Sequence, residues 1–429
     1  MSGGEAPSPH AATAAAATAV ARASYGRLLA WLAWQWRDIA AAEDALGEAF
    51  ASALQHWPRD GVPTSPEGWL LTAAKRQLLM AARHQRLADD PTLTVLWPGS
   101  DDAAPEVAAL PDSRLRLMFV CTHPAIAADV RCALMLQTVL GLDAAHIASA
   151  FLVSPQAMAK RLVRAKAKIK ASGIRFEEPS PEEWPRRVLA VLEAIYGAYV
   201  LDASHTPEGR AGELAQEALF LAELVAAHLP RHAEALGLLA LLRLCEARRP
   251  AKHDAAGAFV PLDRQDTSRW DASLMAAANE HLALAAQLRV PGPFQLEAAI
   301  QAAHHHRAFS GHTPWADIVQ LYEQLLALAP TIGARIGHAV ALARATGDAA
   351  AGLRCLDAID AASVMSHQPW WAARAHLLQT MGHDDAATQA YGRALALTTD
   401  PALRQFLASR MGAQRMGAQR ADSQRTGQK

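Results

Sequence analysis

The residues in this chain best placed to do chemistry are bases that stand without acids. Between Ser154 and Arg175 the sequence carries seven basic residues and no acidic one, although the formal net charge of the protein is only −1. Gln156, Lys160 and Arg164 recur at steps of four, so a helix would put them on one face, with Arg161 and Lys168 flanking. Met158, Leu162, Ala165 and Ile169 fall on the opposite, apolar face. Gln and Arg can reach base edges in a major groove and Lys can neutralise phosphates, so the chemistry on offer is DNA recognition. A merely solvated helix face ordinarily mixes both signs, and this one does not.

The elements that would hold this face can be read from the flanking residues. Asp143 can cap a short helix carrying Ile147 and Ala148, and Leu152 and Val153 fill a turn. Ser154 followed by Pro155 is an N-cap and first helical position, so residues 143–172 are expected to form a helix-turn-helix whose second helix lies on DNA.

A second charged arrangement stands near the start of the chain. Ile39, Ala42, Leu46, Ala49, Phe50, Ala53 and Trp57 repeat at helical spacing, and Asp38, Glu43, Asp44 and Glu48 form an acidic stripe beside that apolar face. Pro58, Gly61 and Pro63 end the helix, and Ser65-Pro66-Glu67 starts another. That next helix carries Trp69, Lys75, Arg76, Arg83 and Arg86, with no acid from Gly68 to Ala88. The stripe invites a basic protein partner, and the following helix invites nucleic acid.

The wider chain fits these elements. At 429 residues it has room for two to four domains, and abundant Ala with few β-branched and aromatic residues points to an all-α fold. Cys121, Cys132, Cys245 and Cys355 are far apart, which suggests neither a disulfide framework nor a zinc site. No membrane span or export signal is legible, so the expected location is the cytoplasm. The expected division is a disordered Ala-rich leader over 1–19, a first helical domain over 20–88, a linker over 89–113 and a second over 114–175. A helical extension then covers 176–408, with a disordered tail over 409–429. Within the extension, Tyr322, Leu356 and Tyr391 lie 34 and 35 residues apart, near the period of tetratricopeptide helical hairpins. The last unit is the clearest, with Trp371, Ala375, Leu378, Gly382, Ala387, Tyr391 and Ala394 at packing offsets, and hairpins are expected over about 297–400.

The run Ala42-Glu43-Asp44-Ala45-Leu46-Gly47-Glu48-Ala49-Phe50, with Trp57-Pro58 and Pro66-Glu67-Gly68-Trp69-Leu70, resembles domain two of extracytoplasmic-function sigma factors. The helix-turn-helix resembles their domain four. Residues 230–240, Glu246-Ala247-Arg248-Arg249 and residues 263–270 resemble the subgroup bearing a long C-terminal tetratricopeptide-like extension. The resemblance implies that Asp38, Glu43, Asp44 and Glu48 dock on the β′ clamp helices of core RNA polymerase, with the β flap a further contact. It implies that Trp69, Lys75, Arg76, Arg83 and Arg86 serve the minus-ten element, and Gln156, Lys160, Arg161, Arg164 and Lys168 the minus-thirty-five element. Promoter DNA, and a peptide or protein ligand of the extension, are the other implied partners; no catalysis, cofactor or metal is implied. The chain departs from the family where Ala74-Lys75-Arg76 replaces an Ala-Arg-Asn run, and where Val200-Leu201-Asp202-Ala203 replaces an Asn-Glu-Gly-Tyr run. The alternative is a helix-turn-helix regulator with a tetratricopeptide-like sensor that never joins polymerase.

Other clusters read as structural. Adjacent residues of a helix point about 100° apart, so His304-His305-His306 cannot converge on one ion. Asp254, Asp263, Asp266, Arg248 and Arg249 read as a buried ion-pair network bracing a loop anchored by Trp270. Trp31, Trp34, Trp36, Trp315, Trp370 and Trp371 read as core or interface aromatics, and Cys121 and Cys132 as buried packing.

Overall fold

The computed structural model describes residues 24–89, 113–151, 153–174, 179–180, 182–205 and 213–412. The leader, most of the linker and residues 413–429 lie outside them, and residues 409–412, expected to start a disordered tail, are helical. The described residues are all-α, and none of their helices is long and apolar enough to cross a membrane. They divide into two compact units, one reaching Ala203 and including the start of α9 to Ala218, the other from Leu219 onward.

The first unit contains α1 (24–36), α2 (Ile39–Asp60), α3 (Pro66–Asp89), α4 (Arg114–Cys121), α5 (Ala128–Leu140), α6 (Ala144–Ala150), α7 (Pro155–Ala171) and α8 (Trp184–His205). α2 starts as its sequence dictates, with Asp38 accepting from the Ala41 N–H, and it buries Ile39, Ala42, Leu46, Ala49, Ala53 and Trp57. Trp57 stacks edge-on against Trp69 of α3 at 5.7 Å. α1 crosses α5 closely: a Cβ on Gly26 would stand 1.9 Å from the Val139 carbonyl oxygen. At Gly141, φ is +70° and the space a side chain would need is filled by the Tyr25 ring.

α8 lies beyond residue 175, where the second domain was expected to end, yet it packs on that domain. Its buried face includes Val188, Val191, Leu192 and Ile195. Arg187 donates to the Phe119 carbonyl of α4, and Trp184 meets the Phe119 ring at 5.9 Å. Cys132 of α5 touches α8 at Gly197, and burial pushes its thiol up to about 12. Cys121 is fully buried and likewise held at about 12.

The second unit takes in the rest of α9 (Glu213–His228), then α10 (Ala233–Ala247), α11 (Ala272–Gln287), α12 (Pro293–His305), α13 (Arg307–Ser310), α14 (Trp315–Leu328) and α15 (Ile332–Thr346). It ends with α16 (Ala349–Asp357), α17 (Ala361–Val364), α18 (Gln368–Thr380), α19 (Asp384–Ala396) and α20 (401–412). α10 is buried almost all round and packs on α11 and α12. Its Glu234 accepts from the Phe294 and Gln295 N–H groups at 3.0 Å, satisfying the start of α12. Later helices pair in sequence, α14 with α15, α15 with α16, and α18 with α19. Ala375, Leu378, Ala387, Tyr391 and Ala394 share one core with Trp371 against it. Gly347 and Gly382 end α15 and α18 with φ of +73° and +76°.

The loop before α11 corrects the expected buried network. Asp254, Asp263 and Asp266 are exposed, and Arg249 pairs instead with buried Glu246 at 2.7 Å. The loop is held instead by arginine donors on backbone carbonyls: Arg269 to His253 and Pro250, and Arg307 to Leu262 and Gln265. Asp254 and Asp266 accept from nearby N–H groups in tight turns. Buried Trp270 donates to Gln265 at 3.2 Å and stacks on His305 at 4.7 Å. A short acid in a loop can satisfy turn N–H groups locally, so Asp254 and Asp266 need no distant cation, whereas Asp263 lies 3.4 Å from Arg344.

Candidate nucleic-acid and polymerase interface

α7 begins as Ser154-Pro155 requires, with the Ser154 hydroxyl accepting from the Ala157 N–H at 3.2 Å. Asp143 caps α6 by accepting from His146 at 2.8 Å. Met158, Leu162, Ala165 and Ile169 are buried, which fixes the phase of the helix. Gln156, Lys160, Arg161, Arg164 and Lys168 are all exposed in consequence. Arg161 lies 3.8 Å from Asp129 of α5, an exposed contact of little energetic weight.

The same helix presents a second cationic edge that the sequence counted only as part of the positive field. Lys166 pairs with Glu43 of α2, and Lys170 reaches Asp38 at 2.7 Å. The step of four from Lys166 to Lys170 was visible, but its partner was not, because the acids lie more than a hundred residues earlier. The acidic stripe is thereby split. Asp38 and Glu43 are half-buried and paired to α7, whereas Asp44 and Glu48 face solvent. Burial raises the Glu43 carboxyl above the usual range, against the opposing pull of Lys166.

On α3, Arg76 and Arg83 are exposed and Lys75 is half-buried with its ammonium 5.1 Å over the Trp31 ring. Trp69 is half-buried between Trp57 and His56. Glu67 is drawn back to α1, pairing with Arg27 at 2.7 Å and accepting from Ser24. That leaves the outer face of α3 basic. The side chain of Arg86 lies outside the described residues.

The helices carrying the acidic stripe and the basic face coincide with a known segment: residues 21–87 match the model for sigma-70 region 2. Residues 21–87 belong to the sigma-70 region 2 family. In that family region 2 is the part that binds core RNA polymerase and promoter DNA. Residues 187–286 match a family of unknown function (DUF6596). An uncharacterized protein of Rhizobium meliloti (strain 1021) is 34% identical over 384 residues, spanning 88% of this chain and 90% of that protein. No solved structure matches the chain. The sigma-70 match accounts for α1 to α3, and the unknown family begins in α8 and continues through the Trp270 loop and α11.

Proposed function

We propose that this chain, which carries a sigma-70 region 2 segment, is an alternative sigma factor of the extracytoplasmic-function type, with a helical, tetratricopeptide-like extension that regulates it. The observation that carries this reading is the coincidence of the region 2 match with two helices of opposite character, acidic α2 and basic α3. Asp44 and Glu48, joined by Asp38 and Glu43 once α7 releases them, dock on basic surface of core polymerase. Trp69, Lys75, Arg76, Arg83 and Arg86 serve the minus-ten element, and Gln156, Lys160, Arg161, Arg164 and Lys168 the minus-thirty-five element.

Co-purification tests it. The full chain mixed with core RNA polymerase at low salt is expected to elute with it, and Glu48→Lys with Asp44→Lys is expected to reduce that association. Elution apart from polymerase at every salt concentration would contradict the reading and favour a regulator that acts without polymerase. Regulation by the extension is tested by truncation. Because α8 packs on α4 and α5, the cut belongs after His205, since one near Glu177 would strip a buried face from the first unit. Promoter-dependent output unchanged by the His205 truncation would contradict a regulatory extension.

A further inference from the structure

Within the second unit lies a cavity of about 540 Å³, a volume in the range that holds small organic ligands. Its walls are apolar and aromatic, with Trp315, Tyr322, Tyr391 and Phe406 around it. Among the residues lining it, Asp263 is the one acid, against Arg307, Arg344 and Arg410. Arg307 spends donors on the Leu262 and Gln265 carbonyls. Arg344 lies over Trp315 at 5.2 Å and 3.4 Å from Asp263, and Arg410 lies over Phe406 at 5.4 Å. Both guanidinium groups are thus steadied against rings with N–H donors in hand, the arrangement that suits a planar anion.

The imidazoles of the cavity do not add charge. Burial holds His304 down to about 4, and burial followed by the nearby Arg344 lowers His376. Arg410 also acts on His376 and on Tyr391, and Asp263 opposes the arginines at His376. Gly337 of α15 leaves room for Tyr322, because a Cβ there would stand 2.3 Å from the Tyr322 hydroxyl. The lining therefore combines ring-sized apolar walls with three arginines against one acid.

We propose that this cavity binds a small amphipathic carboxylate, with its carboxylate at Arg344 and Arg410 and its apolar body against Trp315 and Tyr322. The site is lined by residues of the second unit, whereas the DNA and polymerase contacts proposed above are carried by residues of the first. 2-Naphthoate, titrated calorimetrically into the full chain, is the probe, with 2-naphthalenemethanol as the neutral control. The expected result is one saturable site per chain, with the acid bound at least about tenfold more tightly than the alcohol, the weight of a charge-assisted hydrogen bond. Arg410→Gln and, at Ala372 in the cavity wall, Ala372→Phe, each checked for native helical content, are expected to weaken the acid at least about tenfold, the first by charge and the second by filling space. Absence of saturable uptake, equal binding of acid and alcohol, or affinity untouched by both variants would each overturn the proposal.

Discussion

Lys166 on α7 pairs with Glu43 on α2 across 123 residues of sequence, and only 11% and 12% of the two side chains remain exposed. The second pair, Lys170 with Asp38, lies one helical turn away. α7 therefore holds two of the four acids that the resemblance assigns to polymerase, on the side of the helix away from Lys160 and Arg164. A sigma factor that docks through all four must first release Lys166 and Lys170.

Lys166→Met leaves Glu43 buried without its cation, at a cost of about 3 kcal/mol in a urea unfolding experiment at pH 8. Adding Glu43→Gln is expected to return most of that loss. The pH dependence has a definite sign. The folded-state carboxyl sits above its unfolded value, so the folded state holds the proton more tightly and the penalty of Lys166→Met shrinks as the pH falls toward 5. A penalty that is the same at pH 5 and pH 8 would show that Glu43 is not the group left stranded.

Lys160→Ala and Arg164→Ala should each weaken promoter binding about tenfold or more, measured by fluorescence anisotropy at fixed salt. Lys170→Ala should weaken it less, because that lysine already has Asp38 at 2.7 Å. Equal losses from all three would mean that α7 supplies only diffuse charge.

Gly26→Leu is expected to disrupt the crossing of α1 and α5. Its Cβ would overlap the Val139 carbonyl, which is backbone and cannot swing aside. A lower melting temperature, with earlier thiol labelling of buried Cys121 on heating, would report the loss. Unchanged melting would mean that the two helices can separate without cost.

How much of this was legible in the sequence depended on how local the signal was. The start of α7, its apolar phase through Met158, Leu162 and Ile169, and the exposure of Gln156, Lys160 and Arg164 followed from capping and period alone. The last helical pair showed itself through Ala375, Gly382 and Tyr391, whose spacing matches one shared core. The Lys166–Glu43 pair was not legible, since nothing in either helix names its partner. Nor was the place of α8, because an apolar helix face reads the same whichever domain it covers. The Trp270 loop misled because acids and arginines close in sequence suggest pairing, whereas Asp254 and Asp266 close turns, Asp263 meets distant Arg344, and Arg249 pairs with Glu246.

His304 and His305, both lowered to about 4 by burial, give the second unit an acid limit. Their unfolded forms take protons below about 6.5 while the folded forms do not, so stability declines as the pH falls from 6.5 toward 4. Each imidazole contributes up to about 3 kcal/mol of that loss, since each pKa unit is worth about 1.4 kcal/mol. Denaturant midpoints across this window should fall, and His305→Gln should flatten the dependence. A flat wild-type profile would place these rings in contact with water.

The most direct test is run-off transcription with purified core RNA polymerase, the full chain and the DNA upstream of its own gene. A discrete transcript is expected that requires the chain and is lost when Arg164→Ala is combined with Arg76→Ala. Polymerase that starts no transcript with the chain present, or starts the same one without it, would contradict a role as a sigma factor.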